Sequence, residues 1–317
     1  MVENVYSGVA DYLGQRRQHK SLSQELLAEQ LAAYSVLFEG IDGLAISRWE
    51  RGVVSPNIER QVALMEYFGD QPHLLLGDAA YELKQLPSLG AFHKWMQQNL
   101  SFNHVMGGHP YSTDNETDFD KSGADHSCFE RWLSLVCRYN ENLTRGREIW
   151  SQERLLALAS ASSSQCIFYS VDDQLLGHVI LVRIDDQTLD ALLTGVMSDD
   201  QLQPEQLLSR DESSNLYVYS GYFGTRSICE DALTHSIQAL IESQNTTAIG
   251  FKARANFGIK LMDLLMGEVV GTGDVITGHR DGARYQGKYL DHVSYRLKRQ
   301  GLLANPTILN LVRQNSV

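Results

Sequence analysis

The sequence contains few residues of the kinds that cross-link or stiffen a chain. Four cysteines are present among 317 residues, and no two of them have the CxxC spacing of a redox or zinc site. We therefore expect reduced thiols in a cytoplasmic protein, with no disulfide framework. Only six prolines occur and no repeat period is visible, which excludes collagen-like and solenoid designs.

Long apolar runs and an excess of positive charge are also missing. No stretch approaches the ~18 apolar residues of a membrane-spanning helix. The first residues lack the basic and apolar regions of a secretory signal, so we expect no membrane partner. The formal net charge is −12, which argues against coating of nucleic acid in bulk but leaves room for a small DNA-reading domain.

The pattern of apolar residues predicts an α + α/β protein with three segments. Residues 1–78 have helical spacing throughout and predict an all-helical domain. Residues 79–150 predict a helical connector with a polar loop at 107–126. Residues 151–317 combine β-rich runs with amphipathic helices and predict a mixed α/β domain that ends in a basic segment.

Individual elements follow from the same patterns. The predicted strands are 166–171, 175–184, 216–223, 247–252 and 268–276, of which the first two form a hairpin. The predicted helices of the connector and the α/β domain are 89–100, 129–142, 233–241 and 258–266. Ser55 is the predicted N-cap of a helix whose first residue is Pro56.

Three motifs near the N-terminus carry a resemblance to a known family. The strings are Leu22–Ala28 (LSQELLA), Ile46–Gly52 (ISRWERG) and the pair Ser55-Pro56. Together they resemble the Cro/repressor-type (XRE) helix-turn-helix family over about residues 5–76. The resemblance implies a transcriptional regulator whose recognition helix enters the major groove of an operator in double-stranded DNA. Because operator half-sites are read in pairs, it also implies a homodimer.

The resemblance assigns roles to particular residues. Gln24 would contact a phosphate, Arg51 would contact the DNA backbone, and Arg17 would form a structural ion pair with Glu50. The base-facing residues would be Gly43, Leu44, Ser47 and Arg48. Gln24 and Trp49 lie 25 residues apart, longer than the family's spacing, and the extra length falls in 33–44. A helical domain used only for dimerisation or protein contact is the alternative.

A second resemblance concerns the C-terminal half. Residues 216–243, followed by 256–271, have the element order and the Asn–helix–Gly-Glu-Val-Val-Gly ending of the GNAT N-acetyltransferase fold. Active members hold the acyl-CoA pyrophosphate on a glycine-rich loop at a helix N-terminus. The matching loop here is 222–228, in which the second glycine is absent. The ligand-binding candidates are therefore Tyr222, Gly224, Thr225 and Arg226.

Two functions for this domain remain open at this point. Loss of the second glycine favours a non-catalytic sensor of a small-molecule effector or partner, with no cofactor and no catalytic residue. The alternative is a DNA-tethered N-acyltransferase that uses acyl-CoA. His178 is the nearest candidate for a base, although a strand histidine is more often structural.

Two further patterns involve basic residues and histidines. Residues 280–299 are rich in Arg and Lys with interleaved Tyr, and they could form a solvated face, extra phosphate contacts to DNA, or contacts to an anionic ligand. The loop histidines His104, His109 and His126 lack the spacing of helical metal ligands, so we expect no metal site.

Overall fold

The computed structural model describes residues 6–72, 94–96, 98, 119–277, 282–305, 308 and 311. Contacts divide the chain into two compact units, residues 1–89 with 300–317 and residues 90–299. Most of the helix predicted at 89–100 and of the polar loop at 107–126 lies outside the described residues. In the part of the chain that is described, no helix is both long and apolar enough to cross a bilayer.

The described N-terminal residues are helical, as the sequence predicts. Four α-helices and a short 3₁₀ turn follow one another: α1 (Val9–His19), α2 (Gln24–Tyr34), the turn Val36–Phe38, α3 (Gly43–Glu50) and α4 (Ile58–Phe68). The 3₁₀ turn takes up the extra length between α2 and α3, and its Phe38 is fully buried. The connection between α2 and α3 is therefore longer than in the family, and its extra residues include an ordered 3₁₀ turn.

Short polar side chains fix where these helices begin. Ser23 accepts a hydrogen bond from the Leu26 N–H at the start of α2, and Asp42 accepts one from Ala45 at the start of α3. For α4 the predicted cap was wrong. Asn57, two residues after Ser55, accepts from the Arg60 N–H at 3.0 Å, and the helix begins at Ile58.

The C-terminal unit is a mixed α/β structure built on one large mixed sheet. Its strands are β1 (Asp120–Ser122), β2 (Gln165–Val171), β3 (Gln174–Ile184), β4 (Ser214–Phe223), β5 (Thr246–Ala253), β6 (Glu268–Thr272), β7 (Ala283–Tyr285), β8 (Lys288–Leu290) and β9 (Val293–Lys298). Its helices are α5 (Phe129–Leu143), α6 (Gln152–Ser160), α7 (Asp186–Thr194), α8 (Arg226–Ile241) and α9 (Asn256–Leu264). Helix α10 (Arg299–Leu303) begins at the last residue of this unit, and its other residues are grouped with the first unit. Two 3₁₀ turns, Asp199–Gln201 and Pro204–Gln206, lie between α7 and β4.

The order of the strands places β4 and β5 in the middle of the sheet. Among the described residues seven strands pair in the order β1-β2-β3-β4-β5-β9-β6, while β7 and β8 form a separate hairpin. The pair β4–β5 is parallel and the other pairs are antiparallel. Because α8 connects the parallel strands, it starts at the end of β4 and returns the chain to the beginning of β5.

The predicted hairpin is confirmed. Strands β2 and β3 pair from Gln165–Leu181 to Val171–Gln174, with one register shift between Tyr169 and Ser170. Asp172 and Asp173 form the two-residue turn, both with positive φ. Asp tolerates this backbone conformation better than most residues, and two such positions match the right-handed twist of the strands.

One hydrophobic core joins the sheet to helices that the sequence analysis assigned elsewhere. Trp132 and Val136 of α5 pack with Phe168 of β2 and with Ile180 and Val182 of β3, all of them fully buried. Helix α5 falls within the segment 79–150 that was predicted as a connector. Its apolar face completes the core of the α/β unit, so this part of the segment belongs to that unit.

Candidate functional site

Helix α3 presents the residues that were predicted to face DNA bases. Leu44 and Arg48 are exposed and Ser47 is half-buried. Gly43 is buried, and a Cβ at this position would lie 2.9 Å from the Glu25 carboxylate. Gly43 therefore contributes only backbone at the helix start, and the exposed side chains follow it.

A part-buried ion pair links the first three helices. Arg17 donates from Nε and Nη2 to the two carboxylate oxygens of Glu50, at 2.5 and 3.1 Å, as the sequence predicts. Gln24 is the first residue of α2, and its side-chain amide also donates to Glu50, at 2.7 Å. The amide predicted to contact a phosphate is thus held inside the domain by this carboxylate.

The cations of the helical unit differ in what they contact. Arg51 is exposed and donates from Nε only to the Ser47 carbonyl at 3.2 Å, while Arg48 is exposed with no ion pair among the described residues. The other described cations of 6–72 with assigned contacts are Arg16 with Asp70, Arg17 with Glu50, Arg60 with the Leu37 carbonyl, and Lys20 over Tyr67 and Phe68. The positive charge available to a partner is therefore concentrated on and just after α3.

In the C-terminal unit the two central strands separate partway along their length. The parallel pairing of β4 with β5 ends at Tyr217 and Gly250, whereas the strands run on to Phe223 and Ala253. Within β4, Ile180 pairs with Ser220 and Leu181 with Val218, so Tyr219 is a bulged residue. A bulge bends its strand, and here it coincides with the place where β4 leaves β5.

The predicted ligand loop lies at the end of β4, where α8 begins. Thr225 is the N-cap of α8 and accepts a hydrogen bond from Ile228. Gly224 donates its N–H to the Leu176 carbonyl at 3.0 Å, and a Cβ there would lie 2.4 Å from that oxygen. Glycine is thus required by close packing against β3. Arg226 forms an ion pair with Glu230 at 3.4 Å.

A buried polar cluster lies beside the bulge. Nε2 of His178 is 2.7 Å from Oγ of Ser220, and the side-chain amide of Asn140 on α5 donates to the same oxygen at 2.9 Å. The rings of Tyr139 and Tyr222 pack against each other 5.0 Å apart and flank the histidine. Burial lowers the pKa of His178 to about 3, so this candidate base is neutral and weakly basic. Burial also raises the pKa of Tyr222 to about 12.

A larger ionic network, which the sequence analysis missed, is buried at the end of β5. Arg254 donates to Glu148 at 2.8 Å, to Asp199 at 2.9 Å and to Asp291 at 2.8 Å. Lys252 donates to Asp199 at 2.7 Å. Neighbouring segments add three more groups to the network: Tyr217 on Asp199, and Arg147 and His292 on Asp291.

The protonation preferences of this network differ between its carboxyl groups. Burial, followed by repulsion from Asp199, raises the pKa of Glu148 above its ordinary value. The pKa of Asp199 is lowered because Lys252 and Arg254 outweigh the effect of burial. The network therefore contains one carboxyl group whose pKa is raised beside another whose pKa is lowered. The one sign of this network in the sequence is the pair of basic residues Lys252 and Arg254, which lie two positions apart at the end of a predicted strand.

Most of the described Arg and Lys side chains of the basic segment 280–299 form ion pairs or hydrogen bonds within the protein. Arg296 pairs with Asp190, and Lys298 pairs with Glu268 at 2.8 Å. Arg299 is buried and donates to carbonyl groups at the C-terminal end of α8, including that of Ser243 at 2.9 Å. Capping of a helix C-terminus by a guanidinium is a structural role.

The similarities of this chain to known proteins are distant. No protein-family model matches the chain, and none of the curated proteins matches it. Two solved structures of Arabidopsis thaliana NAA60, in complex with a bisubstrate analogue and with acetyl-CoA, are similar at 11% and 9% identity, with TM-scores of 0.39 and 0.35. Each covers 57% of this chain and 98% or 97% of its own. Malonyl-CoA decarboxylase from Rhodopseudomonas palustris is similar at 12% identity and a TM-score of 0.30, covering 81% of this chain and 60% of its own.

Proposed function

We propose that the C-terminal unit binds an acyl-CoA in the opening between β4 and β5 and transfers the acyl group to an amine. The observation that carries this proposal is the separation of the two parallel strands after Tyr217 and Gly250, at the bulge of Tyr219. The strand order, with β9 inserted between β5 and β6, supports the resemblance to the GNAT fold that the sequence suggested. The acyltransferase thus becomes the leading function of this domain, ahead of a non-catalytic sensor.

The physical argument concerns unpaired backbone groups. Where two neighbouring strands separate, the N–H and C=O groups on their facing edges need other partners. An extended ligand with amide groups can pair with such an edge as an added strand does. The pantetheine arm of CoA has this chemistry.

The diphosphate of the same ligand fits the start of α8. The first-turn amides of Arg226 and Ser227 have no carbonyl acceptor within the helix, and an anion there also benefits from the helix dipole. Gly224 contributes no amide because its N–H already bonds to Leu176. These two amides therefore replace the glycine-rich loop of the family in our proposal.

An acceptor amine must lose a proton before it attacks a thioester, and we assign Glu148 as the group that takes it. Its Oε2 lies 3.3 Å from Nε1 of Trp150, whose ring packs 4.8 Å from that of the bulged Tyr219. A carboxyl group with a raised pKa is better suited to accept a proton near neutral pH than an ordinary one.

A matched pair of variants tests the binding step. In Arg226→Pro the first amide of α8 is lost, and the extended conformation of Thr225 tolerates a following proline. Arg226→Ala removes the same side chain but keeps the amide. We expect acetyl-CoA affinity, measured by calorimetry, to fall about tenfold or more in the proline variant relative to the alanine variant. Equal affinities, or no binding by the wild-type protein, would contradict the proposal.

The transfer step needs a separate assay. Labelled acetyl-CoA is incubated with amines, polyamines and lysine peptides, and Glu148→Gln is compared with wild type after its acetyl-CoA affinity is measured. Turnover that is lost in the variant while binding is kept would support the acyltransferase. Tight binding with no turnover by the wild type would favour the sensor of a small-molecule effector instead.

We also propose that α3 reads an operator in double-stranded DNA. This second function is favoured by two exposed cations: Arg48, which has no ion pair among the described residues, and Arg51, which directly follows α3. Leu44 lies one turn before Arg48, and Ser47 lies one turn before Arg51. Both side chains are therefore within reach of the same groove. A homodimer would be needed to read two half-sites.

Selection from random duplexes, followed by affinity measurements, tests this function. Arg48→Ala should weaken binding to the selected site by about 1–3 kcal/mol if the guanidinium contacts a base edge. Arg48→Lys keeps the charge but loses the two-pronged contact, so it should reduce specificity while leaving the salt dependence unchanged. If Arg48→Ala and Arg51→Ala together leave the affinity unchanged, α3 is not the reading helix.

A further inference from the structure

Three side chains with metal-ligating atoms meet at one end of the α/β unit. They are His126 and Cys128, just before α5, and Asp173 in the turn between β2 and β3. One ligand atom from each lies within 4.8 Å of the other two. The two segments are far apart in sequence, so the fold brings these side chains together.

The surrounding contacts hold this arrangement in place. The His126 ring stacks on Trp132 with centroids 4.5 Å apart and planes 10° apart. Nε1 of Trp132 and Nη2 of Arg131 both donate to the Asp173 carbonyl, at 3.2 and 2.6 Å. The imidazole and the backbone of Asp173 are therefore both held against the first turn of α5.

The distance between the nitrogen and the carboxylate suits a shared metal better than a direct hydrogen bond. Nε2 of His126 is 3.7 Å from Oδ1 of Asp173, too far for a hydrogen bond. Two N or O ligands of a tetrahedral zinc ion at ~2.0–2.1 Å lie about 3.4 Å apart. A small inward movement would therefore bring both atoms to bonding distance, and the Cys128 thiol lies within 4.8 Å of a ligand atom of each residue.

The donor set also points to the identity of the metal. From these contacts we propose that His126, Cys128 and Asp173 bind Zn²⁺, with a fourth position open to water or a ligand. Imidazole, thiolate and carboxylate together match the N, S and O ligands of zinc, whereas Ca²⁺ and Mg²⁺ prefer oxygen alone. This site goes beyond the proposed acyl transfer and uses no residue of β4, β5 or α8.

Zinc binding would move one proton on the histidine. The Cys128 N–H donates to Nδ1 of His126 at 3.2 Å, so the proton of the neutral ring is on Nε2. Coordination through Nε2 shifts that proton to Nδ1, and the hydrogen bond from Cys128 is given up.

Metal binding to the full-length chain tests the proposal without any activity assay. The metal-stripped protein is titrated with Zn²⁺ against a colorimetric chelator, and with Co²⁺ as a spectroscopic probe. We expect a thiolate-to-cobalt charge-transfer band that zinc displaces. Cys128→Ser should remove the band, and Asp173→Asn should weaken zinc binding by at least roughly tenfold.

Cys166→Ser is the matched control, because this half-buried thiol on β2 lies outside the cluster. Its band and its zinc affinity should equal those of wild type. Zinc should also raise the melting temperature of wild type and of this control, but not that of Cys128→Ser. No zinc binding by wild type, or binding that Cys128→Ser and Asp173→Asn leave unchanged, would overturn the proposal.

Discussion

Removing the guanidinium of Arg254 should destabilise the α/β unit more than removal of any surface cation. Its side chain is 9% exposed and contacts three carboxylates at 2.8–2.9 Å. In Arg254→Met, Asp199 keeps Lys252, and Asp291 keeps Arg147. Glu148 would keep only the indole N–H of Trp150. Breaking a buried ion pair in this way costs about 3–5 kcal/mol.

The loss of unfolding free energy in Arg254→Met should be larger at high pH than at low pH. Burial raises the folded-state pKa of Glu148, and Arg254 opposes that shift, so the variant raises the pKa further. A carboxyl group with a raised folded pKa takes up a proton on folding. The folded state is therefore destabilised progressively as the pH rises from the unfolded pKa of about 4.3 through the folded one. The variant should lose more stability at about pH 8 than at about pH 5.

Urea unfolding followed by tryptophan fluorescence at the two pH values measures both effects. The control is Arg210→Met, whose side chain is 56% exposed and 3.9 Å from Glu242. It should change the free energy of unfolding by no more than about 0.5 kcal/mol. Adding Glu148→Gln to Arg254→Met should recover part of the loss. A loss under about 1 kcal/mol, or an equal loss at both pH values, would refute the role of a buried charge at Glu148.

Two further predictions concern the helical unit and the basic segment. Trp49 is 5% exposed, so Trp49→Ala should lower the free energy of unfolding by about 3–5 kcal/mol, whereas Leu44→Ala at 54% exposure on the same helix should have little effect on melting. Unchanged melting of the first variant would show that Trp49 is not a core residue. If Arg284 and Lys288 contact DNA, neutralising both should make the log-affinity against log-salt slope shallower by roughly 0.9 per contact, and an unchanged slope would exclude them.

The elements that the sequence predicted are those whose formation depends on residues close together in the chain. The hairpin β2–β3 follows from alternating β-formers and two turn-forming aspartates, and α3 follows from the spacing of Ile46 and Trp49, both buried. The N-cap of α4 was missed by two residues because Ser55, Pro56 and Asn57 all suit a helix start. Local preference alone cannot choose between such neighbours.

The candidate site was less predictable because its groups come from distant segments. The segment 222–228 spans the end of β4 and the first turn of α8, and α8 begins at Arg226, earlier than the helix predicted at 233–241. The bulge of Tyr219 depends on how β3 pairs with β4, which no local pattern specifies. The network around Arg254 likewise joins carboxylates that lie up to 106 residues away in sequence.

The basic C-terminal segment shows why a run of charges in sequence need not form a charged surface. Arg296 and Arg299 belong to the same run, yet the first pairs with Asp190 of α7 and the second is buried against carbonyl groups of α8. Strand β9 lies between β5 and β6, and the hydroxyl of its Tyr295 donates to Asp263 of α9 at 3.5 Å. The composition of a segment gives the sign of its charge. The order of the strands in the sheet determines which of its cations form contacts within the protein and which stay exposed to a partner. Salt dependence should therefore be attributed to Arg48 and Arg51 before it is attributed to this segment.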